Sequence, residues 1–178
     1  MDRVRGKIAI VTGGAKGIGR SACSLLAREG AVVALTDLLD ESGRQAVDEI
    51  AKAGGRAHFW HLDVSKEAEV KAIFSEVELK FGSIDVLVNN AGIAGVNKPT
   101  HEVSEEDWDK LMAINVKGGV LLYRTCHPTY EAGRAIFVVK PAESRHRFNT
   151  VTDGKLVPMN AGRNRGLGWL RDAMPNEE

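Results

Sequence analysis

Residues 8–19, Ile8-Ala9-Ile10-Val11-Thr12-Gly13-Gly14-Ala15-Lys16-Gly17-Ile18-Gly19, carry an apolar, β-branched run straight into a glycine-rich turn. The run has the make-up of a buried strand. After the turn, Ala22, Leu25 and Leu26 share one helical face, and Gly30 is a suitable stop. Gly13, Gly17 and Gly19 let the backbone bend tightly and approach a ligand. A helix opening near Gly17 aims free N–H groups and its positive dipole end at that space, where a pyrophosphate fits. Asp37 closes the next apolar run, 18 residues after Gly19. A carboxylate there accepts from both adenosine ribose hydroxyls and repels a 2′-phosphate, which favours NAD over NADP. Lys16 is a counter-signal, being a cation near the turn. Gly14-x-x-x-x-Gly19-Arg20-Ser21 also approaches a P-loop, but Arg20 stands where Lys must reach the β- and γ-phosphates.

Outward from the turn, strand and helix keep alternating. Residues 31–35 read as a second strand. A helix over 41–53 aligns Ala46, Val47, Ile50 and Ala53 ahead of Gly54-Gly55. Residues 57–64 read as a third strand, after which Ser65 can cap a helix whose face is Val70, Ile73, Phe74, Val77 and Phe81, ending at Gly82. Residues 86–88 form a fourth strand running into Asn89-Asn90-Ala91-Gly92. Ser104, with Asp107 three residues on, resembles a capping box that opens a helix through Trp108, Leu111 and Met112. Residues 135–139 are a candidate fifth strand. The strands are continuously apolar, which calls for a parallel sheet covered on both faces, a doubly wound α/β fold. Beyond Lys140 no period persists, and Val, Ile, Leu and Phe supply only 6 of the last 39 residues, so an irregular tail is expected over 140–178.

The 178 residues suit one domain with a tail. Lys plus Arg is 24 and Asp plus Glu is 24, a balance that argues against nucleic acid or an anionic membrane as main partner. No apolar run reaches the ~18–20 residues that span a bilayer. The charged start from Met1 to Lys7 is unlike a secretory signal, and Cys23 and Cys126 make no disulfide framework, so a cytoplasmic protein is expected.

Four separated motifs agree: Thr12-Gly13-x-x-x-Gly17-Ile18-Gly19, Asp63-Val64, Asn89-Asn90-Ala91-Gly92 and Asn115-Val116. Together they resemble the classical subgroup of the short-chain dehydrogenase/reductase family, over residues 3 to about 122. The resemblance implies a Rossmann-like NAD(P)-binding domain over 1–139. It also implies hydride transfer between NAD(H) and a small-molecule secondary alcohol or ketone. Gly13, Lys16, Gly17, Ile18 and Gly19 would line the pyrophosphate, and Asp37 would hold the ribose. Asp63 and Val64 would border the adenine. Asn90, Ala91 and Gly92 would pass beneath the nicotinamide ribose, with Asn89 tying the fourth strand to its neighbour. Asn115 matches the asparagine of the family's Asn-Ser-Tyr-Lys tetrad, where it holds a water in a proton relay.

The rest of that tetrad is not matched. The family pattern needs a Ser after the fifth strand and Tyr-x-x-x-Lys further on, the Tyr serving as general base and the Lys lowering its pKa. The two tyrosines, Tyr123 and Tyr130, precede the fifth strand. Tyr130-Glu131-Ala132-Gly133-Arg134 has the spacing but ends in Arg, Tyr123 is followed by His127 four residues on, and Ser144 has no Tyr after it. The abrupt change after about Gly119 is expected of a truncated or frameshifted product, with the sheet incomplete at its C-terminal side. Three functions therefore stand side by side. One is an NAD-dependent oxidoreductase. Another is a catalytically silent dinucleotide-binding remnant. A third is an interaction protein pairing through an exposed sheet edge, and self-association is left open.

Smaller signals are read as structural. His58 and His61 point to opposite faces of a strand and cannot share a metal, so no metal site is assigned. Cys126-His127 diverges on a helix, and the Arg145-His146-Arg147 and Arg163-Asn164-Arg165 clusters are diluted by acids. Trp108 is expected in the core, and Trp60, beside the adenine-side strand, is read as packing.

Overall fold

The computed structural model describes residues 3–131 and the strands Ile136–Val139, Asn149–Thr152 and Lys155–Pro158, with side chains for 3–126 apart from position 100. In chain order the first elements are β1 (Ile8–Thr12), α1 (Gly17–Arg28), β2 (Val32–Asp37), α2 (Asp40–Lys52), β3 (Arg56–His61), α3 (Glu67–Phe81) and β4 (Val86–Asn89). A long helical stretch follows as α4 (Glu105–Met112), a π-helical turn (Ala113–Lys117) and α5 (Gly118–Glu131), and then β5 (Ile136–Val139), β6 (Asn149–Thr152) and β7 (Lys155–Pro158). The sheet order is β3-β2-β1-β4-β5-β6-β7. The first five strands pair in parallel, and β6 and β7 join antiparallel. This is the doubly wound, Rossmann-like arrangement. β6 and β7 fall where the sequence offers no lasting period, and the remainder of 140–178 lies outside the described residues.

The unbroken apolar run of β1 is explained by burial on both faces. Ala9 and Val11 pack with Val33, Leu35 and the inner faces of α1 and α2, while Ile8 and Ile10 pack with Ala34, Leu87 and the inner faces of α3 and α5. Each such buried aliphatic side chain contributes roughly 1.5–3 kcal/mol. Gly30 and Gly82 take left-handed backbone (φ +94° and +99°) just past α1 and at the end of α3, as expected of helix stops. The expected capping by Ser104 is present, with its hydroxyl accepting from the Asp107 N–H at 3.1 Å.

Two expectations are corrected. Ser65 does not cap α3, whose N-cap is Lys66, because its hydroxyl donates to Asp63 instead. Trp108 is not core. It is 52% exposed, since α4 turns that side away from the sheet. The packing expected of Trp60 is present: it is half-buried against the core on the α3 face, and its indole N–H donates to Glu76 of α3 at 2.9 Å. Among the described residues no helix is long and apolar enough to cross a membrane.

Candidate functional site

The signature residues gather at the carboxyl ends of β1, β2 and β4. Thr12 is the one polar residue of the buried strand β1 and is fully buried. Its Oγ1 accepts the backbone N–H groups of Asn90 (3.1 Å) and Ala91 (3.0 Å) and donates to the Val88 carbonyl (3.4 Å). The Asn90 side-chain amide in turn donates to the carbonyls of Thr12 (3.0 Å) and Gly13 (3.1 Å). Asn90 thus ties the end of β4 to the neighbouring turn, while Asn89 stands in register with Val139 of the neighbouring strand β5. Asn89 faces α5, where Gly119 leaves room for its amide.

The glycines of the turn do different work. Gly13 is left-handed (φ +64°), and a Cβ there would lie 2.9 Å from the Ala91 Cα. Gly14, given no role from sequence, packs under Leu35 and Cys23 and donates its N–H to the Thr36 carbonyl at 3.0 Å. A side chain on Gly19 would strike the Gly13 carbonyl oxygen. Gly17 differs. It is left-handed (φ +52°), yet nothing lies within 4 Å of where its Cβ would be.

The first turn of α1 is electrostatically bare. Lys16 at its N-cap makes no side-chain cap and the turn holds no acid, whereas α2 opens with Asp40 and Glu41 and α3 with Glu67 and Glu69. Lys16 and Ile18 are exposed beside it. The Asp37 carboxylate is held at the rim, accepting from the N–H of Ala15 (2.9 Å) and of Leu39 (3.0 Å). Two backbone donors leave lone pairs of this carboxylate open to further donors. Arg20, the residue behind the P-loop comparison, instead pairs with Glu49 of α2.

Asp63 and Val64 follow β3. The Asp63 Oδ1 accepts from the Ser65 N–H (3.0 Å) and hydroxyl (2.7 Å). Burial pushes this carboxyl up, but the Ser65 bonds and the nearby Lys66 ammonium outweigh it and hold it below its usual range. Val64 is buried against Gly118, where a Cβ would come within 2.9 Å of it. Asn115 lies in the π-helical turn, and the extra residue of such a turn re-aims its side chain. Its Oδ1 accepts from the Ile93 N–H and its amide donates to the Ile93 carbonyl, both at 2.9 Å. Gly92 lies beneath, with a Cβ there 3.2 Å from the same Oδ1.

The structure therefore brings Gly13, Gly19, Asn90 and Ala91 into mutual contact, and links Asp37 to the turn through Ala15. It joins Asn115 to the chain just after Gly92. Sequence reasoning missed the Thr12 hydroxyl, Gly14, Ile93 and the paired glycines 118 and 119. The signal for Thr12 was present, a lone hydroxyl in an otherwise apolar buried run. Tyr123 is half-buried beside the α3–α5 core, while the side chains of His127, Tyr130 and Ser144 lie outside the described residues. Cys126 is buried and its thiol is pushed up by that burial, which leaves it no nucleophile. His58 stacks near Phe81 (centroids 5.0 Å), while His61 contacts Asp40 (2.6 Å) on the opposite face.

Residues 7–150 match the family model described as short chain dehydrogenase. The chain is 48% identical over 117 residues to a cyclopentanol dehydrogenase of Comamonas testosteroni, covering 66% of this chain and 46% of that protein. It is 40% identical over 116 residues to a 3beta-hydroxysteroid dehydrogenase of Mediterraneibacter gnavus, covering 65% and 42% respectively. The chain thus spans less than half the length of these curated relatives. A solved metagenomic short-chain oxidoreductase in complex with NADP is similar with a TM-score of 0.74 and 36% identity, over 77% of this chain and 62% of that one. With its glycine turn, its sheet order and a family match over most of its length in agreement, this chain belongs to the short chain dehydrogenase family of oxidoreductases.

Proposed function

We propose that this chain binds an adenine dinucleotide across the carboxyl ends of β1, β2 and β4, with NAD preferred to NADP. One observation carries the proposal. The bare, positive first turn of α1 lies under the open space at Gly17, with the oriented Asp37 carboxylate close by. Gly13, Lys16, Gly17, Ile18 and Gly19 border the pyrophosphate in this reading, and Asp37 accepts from the adenosine ribose. Asp63 and Val64 flank the adenine, and Asn90, Ala91 and Gly92 underlie the nicotinamide ribose. When bound, the dinucleotide supplies a hydride donor or acceptor for a secondary alcohol or ketone.

The chain's own residues supply little of the proton chemistry. Asn115 keeps one amide hydrogen and one carbonyl lone pair beyond its bonds to Ile93, enough to order a water. Residues 1–178 contain no Tyr-x-x-x-Lys to act as base and ribose anchor. Dinucleotide binding with impaired alcohol oxidation is the function these residues support, in a domain over 1–139.

Titration calorimetry on the whole chain tests this. NAD is expected to bind more tightly than NADP. Asp37→Ala is expected to weaken NAD by roughly 10- to 100-fold, as for lost hydrogen bonds to a charged group, and to narrow the gap to NADP. Equal affinity for both cofactors, unchanged by Asp37→Ala, overturns the proposal.

A further inference from the structure

We propose that the outer edge of β3 docks an extended acidic segment of a partner protein, which adds a strand to the sheet and places a carboxylate on Lys80. β3 ends the sheet, and its inner side pairs with β2 from Val32↔Arg56 to Asp37↔His61. The Leu62 N–H donates to the Asp37 carbonyl at 3.1 Å. Strand alternation therefore turns the N–H and C=O groups of His61, Phe59 and Ala57 away from β2. The opposite edge strand, β7, carries Lys155 and Pro158, residue types that discourage further pairing, whereas Arg56-Ala57-His58-Phe59-Trp60-His61 has neither Lys nor Pro.

The groove beside this edge has a volume of about 450 Å³ and is lined by His58, Phe59, Trp60, Glu76, Leu79 and Lys80. His58, Phe59 and Trp60 make its lining largely aromatic, and the Trp60 ring meets Phe81 edge to face at 6.1 Å. Leu79 is 89% exposed at its side, an apolar group in need of cover. The groove lining carries Lys80, in contact with the His58 Nδ1 at 3.4 Å, and Glu76, and two further cations, Arg44 and Arg56, stand along the edge. The Lys80 ammonium stands 5.4 Å from the Trp60 ring and 5.2 Å from the Phe81 ring, and the Arg44 guanidinium lies 5.8 Å from the Phe59 ring. Exposed Arg56 opens the strand. Among the described residues, none of Arg44, Arg56 and Lys80 is in a salt bridge, and Glu76 already accepts from Trp60.

Such a surface selects its occupant. A second copy of this edge, paired antiparallel about the middle of β3, would set Lys80 against its own counterpart. A nucleic acid strand satisfies the cations and rings but not the outward ladder of backbone donors and acceptors at Ala57, Phe59 and His61, which matches an extended polypeptide. The probe is an N-acetylated, fluorescein-labelled nonapeptide of alternating glutamate and valine, titrated against the whole chain by fluorescence anisotropy. Binding is expected, with the affinity falling about tenfold on Lys80→Glu. Lys80 is exposed, so the fold is not at stake. Amide exchange is expected to slow at Ala57, Phe59 and His61, and a probe methylated at alternate backbone nitrogens should not bind. No binding, equal affinity for Lys80→Glu, or exchange protection elsewhere overturns the proposal. Preferential binding of an oligothymidylate, or sedimentation showing a dimer that Lys80→Glu disrupts, also overturns it.

Discussion

Thr12 and Asn90 hold each other reciprocally: the Thr12 hydroxyl oxygen accepts the Asn90 backbone N–H at 3.1 Å, and the Asn90 side-chain amide donates to the Thr12 carbonyl at 3.0 Å. The clasp closes at the edge of the proposed cofactor cradle, and it sets where the turn at Gly13 sits. Thr12→Val keeps the shape but strands two half-buried backbone donors, at about 1–2 kcal/mol each. A loss of about 2–4 kcal/mol is expected in denaturant unfolding, with weaker NAD binding. Thr12→Ser retains the bonds and should cost only about 1 kcal/mol for the lost methyl. Equal losses in the two variants would show that the hydroxyl does not matter.

The glycines of the turn should separate by mechanism. Gly17→Ala meets open space and incurs only left-handed backbone strain, about 1–2 kcal/mol. Gly19→Ala drives a methyl into the Gly13 carbonyl oxygen, an unyielding backbone atom, so α1 must shift off its seat. Gly19→Ala is therefore expected to lose more stability and more NAD affinity than Gly17→Ala, as read by melting and calorimetry on both variants.

The fold was legible because each buried strand declared itself locally. Ile8 to Val11 is apolar on both faces since both faces are covered, and Gly30 and Gly82 mark helix ends by a conformation that glycine adopts readily. Within the site, the turn glycines and Asp37 could be placed because their spacing follows strand and helix geometry. What could not be read were choices between near-equals. Asn89 and Asn90 are identical side chains on opposite faces of one strand end, and only the three-dimensional approach of Thr12 decides which one ties the turn. Trp108 has apolar neighbours at helical spacing, but no periodicity says whether that stripe meets the sheet or turns from it. Gly118 matters only because α5 passes Val64, a contact between residues 54 positions apart.

Both cysteines should resist thiol reagents in the folded protein. Cys23 and Cys126 are buried, and burial pushes both thiols far above their ordinary range, so almost no thiolate forms at neutral pH. Ellman titration at pH 8 is expected to find essentially no reactive thiol in the native chain and both after guanidinium unfolding. Rapid modification of Cys126 in the native state would mean that α5 opens away from α3.

Acid should loosen the tie between the N-terminal segment and α1. Glu29 is buried at the end of α1, and its carboxylate accepts from the Arg3 Nη2 at 2.9 Å and from the Arg3 Nε and backbone N–H at 3.3 Å each. The Arg3 side-chain bond holds the Glu29 carboxyl below its ordinary range, against burial, which pushes it up. A carboxyl depressed in the folded state contributes stability that is present above its unfolded value, about 4.3, and is lost as pH falls through the lower folded value. The melting temperature of the parent chain is therefore expected to fall on acidification from about pH 5 towards pH 3. Glu29→Gln should melt lower at pH 7, where the charge is lost, and should fall less steeply, the two curves converging at the acid end. Parallel curves would assign the acid sensitivity to other carboxyls, with Asp63 the next to test, since Ser65 and Lys66 depress it in the same direction.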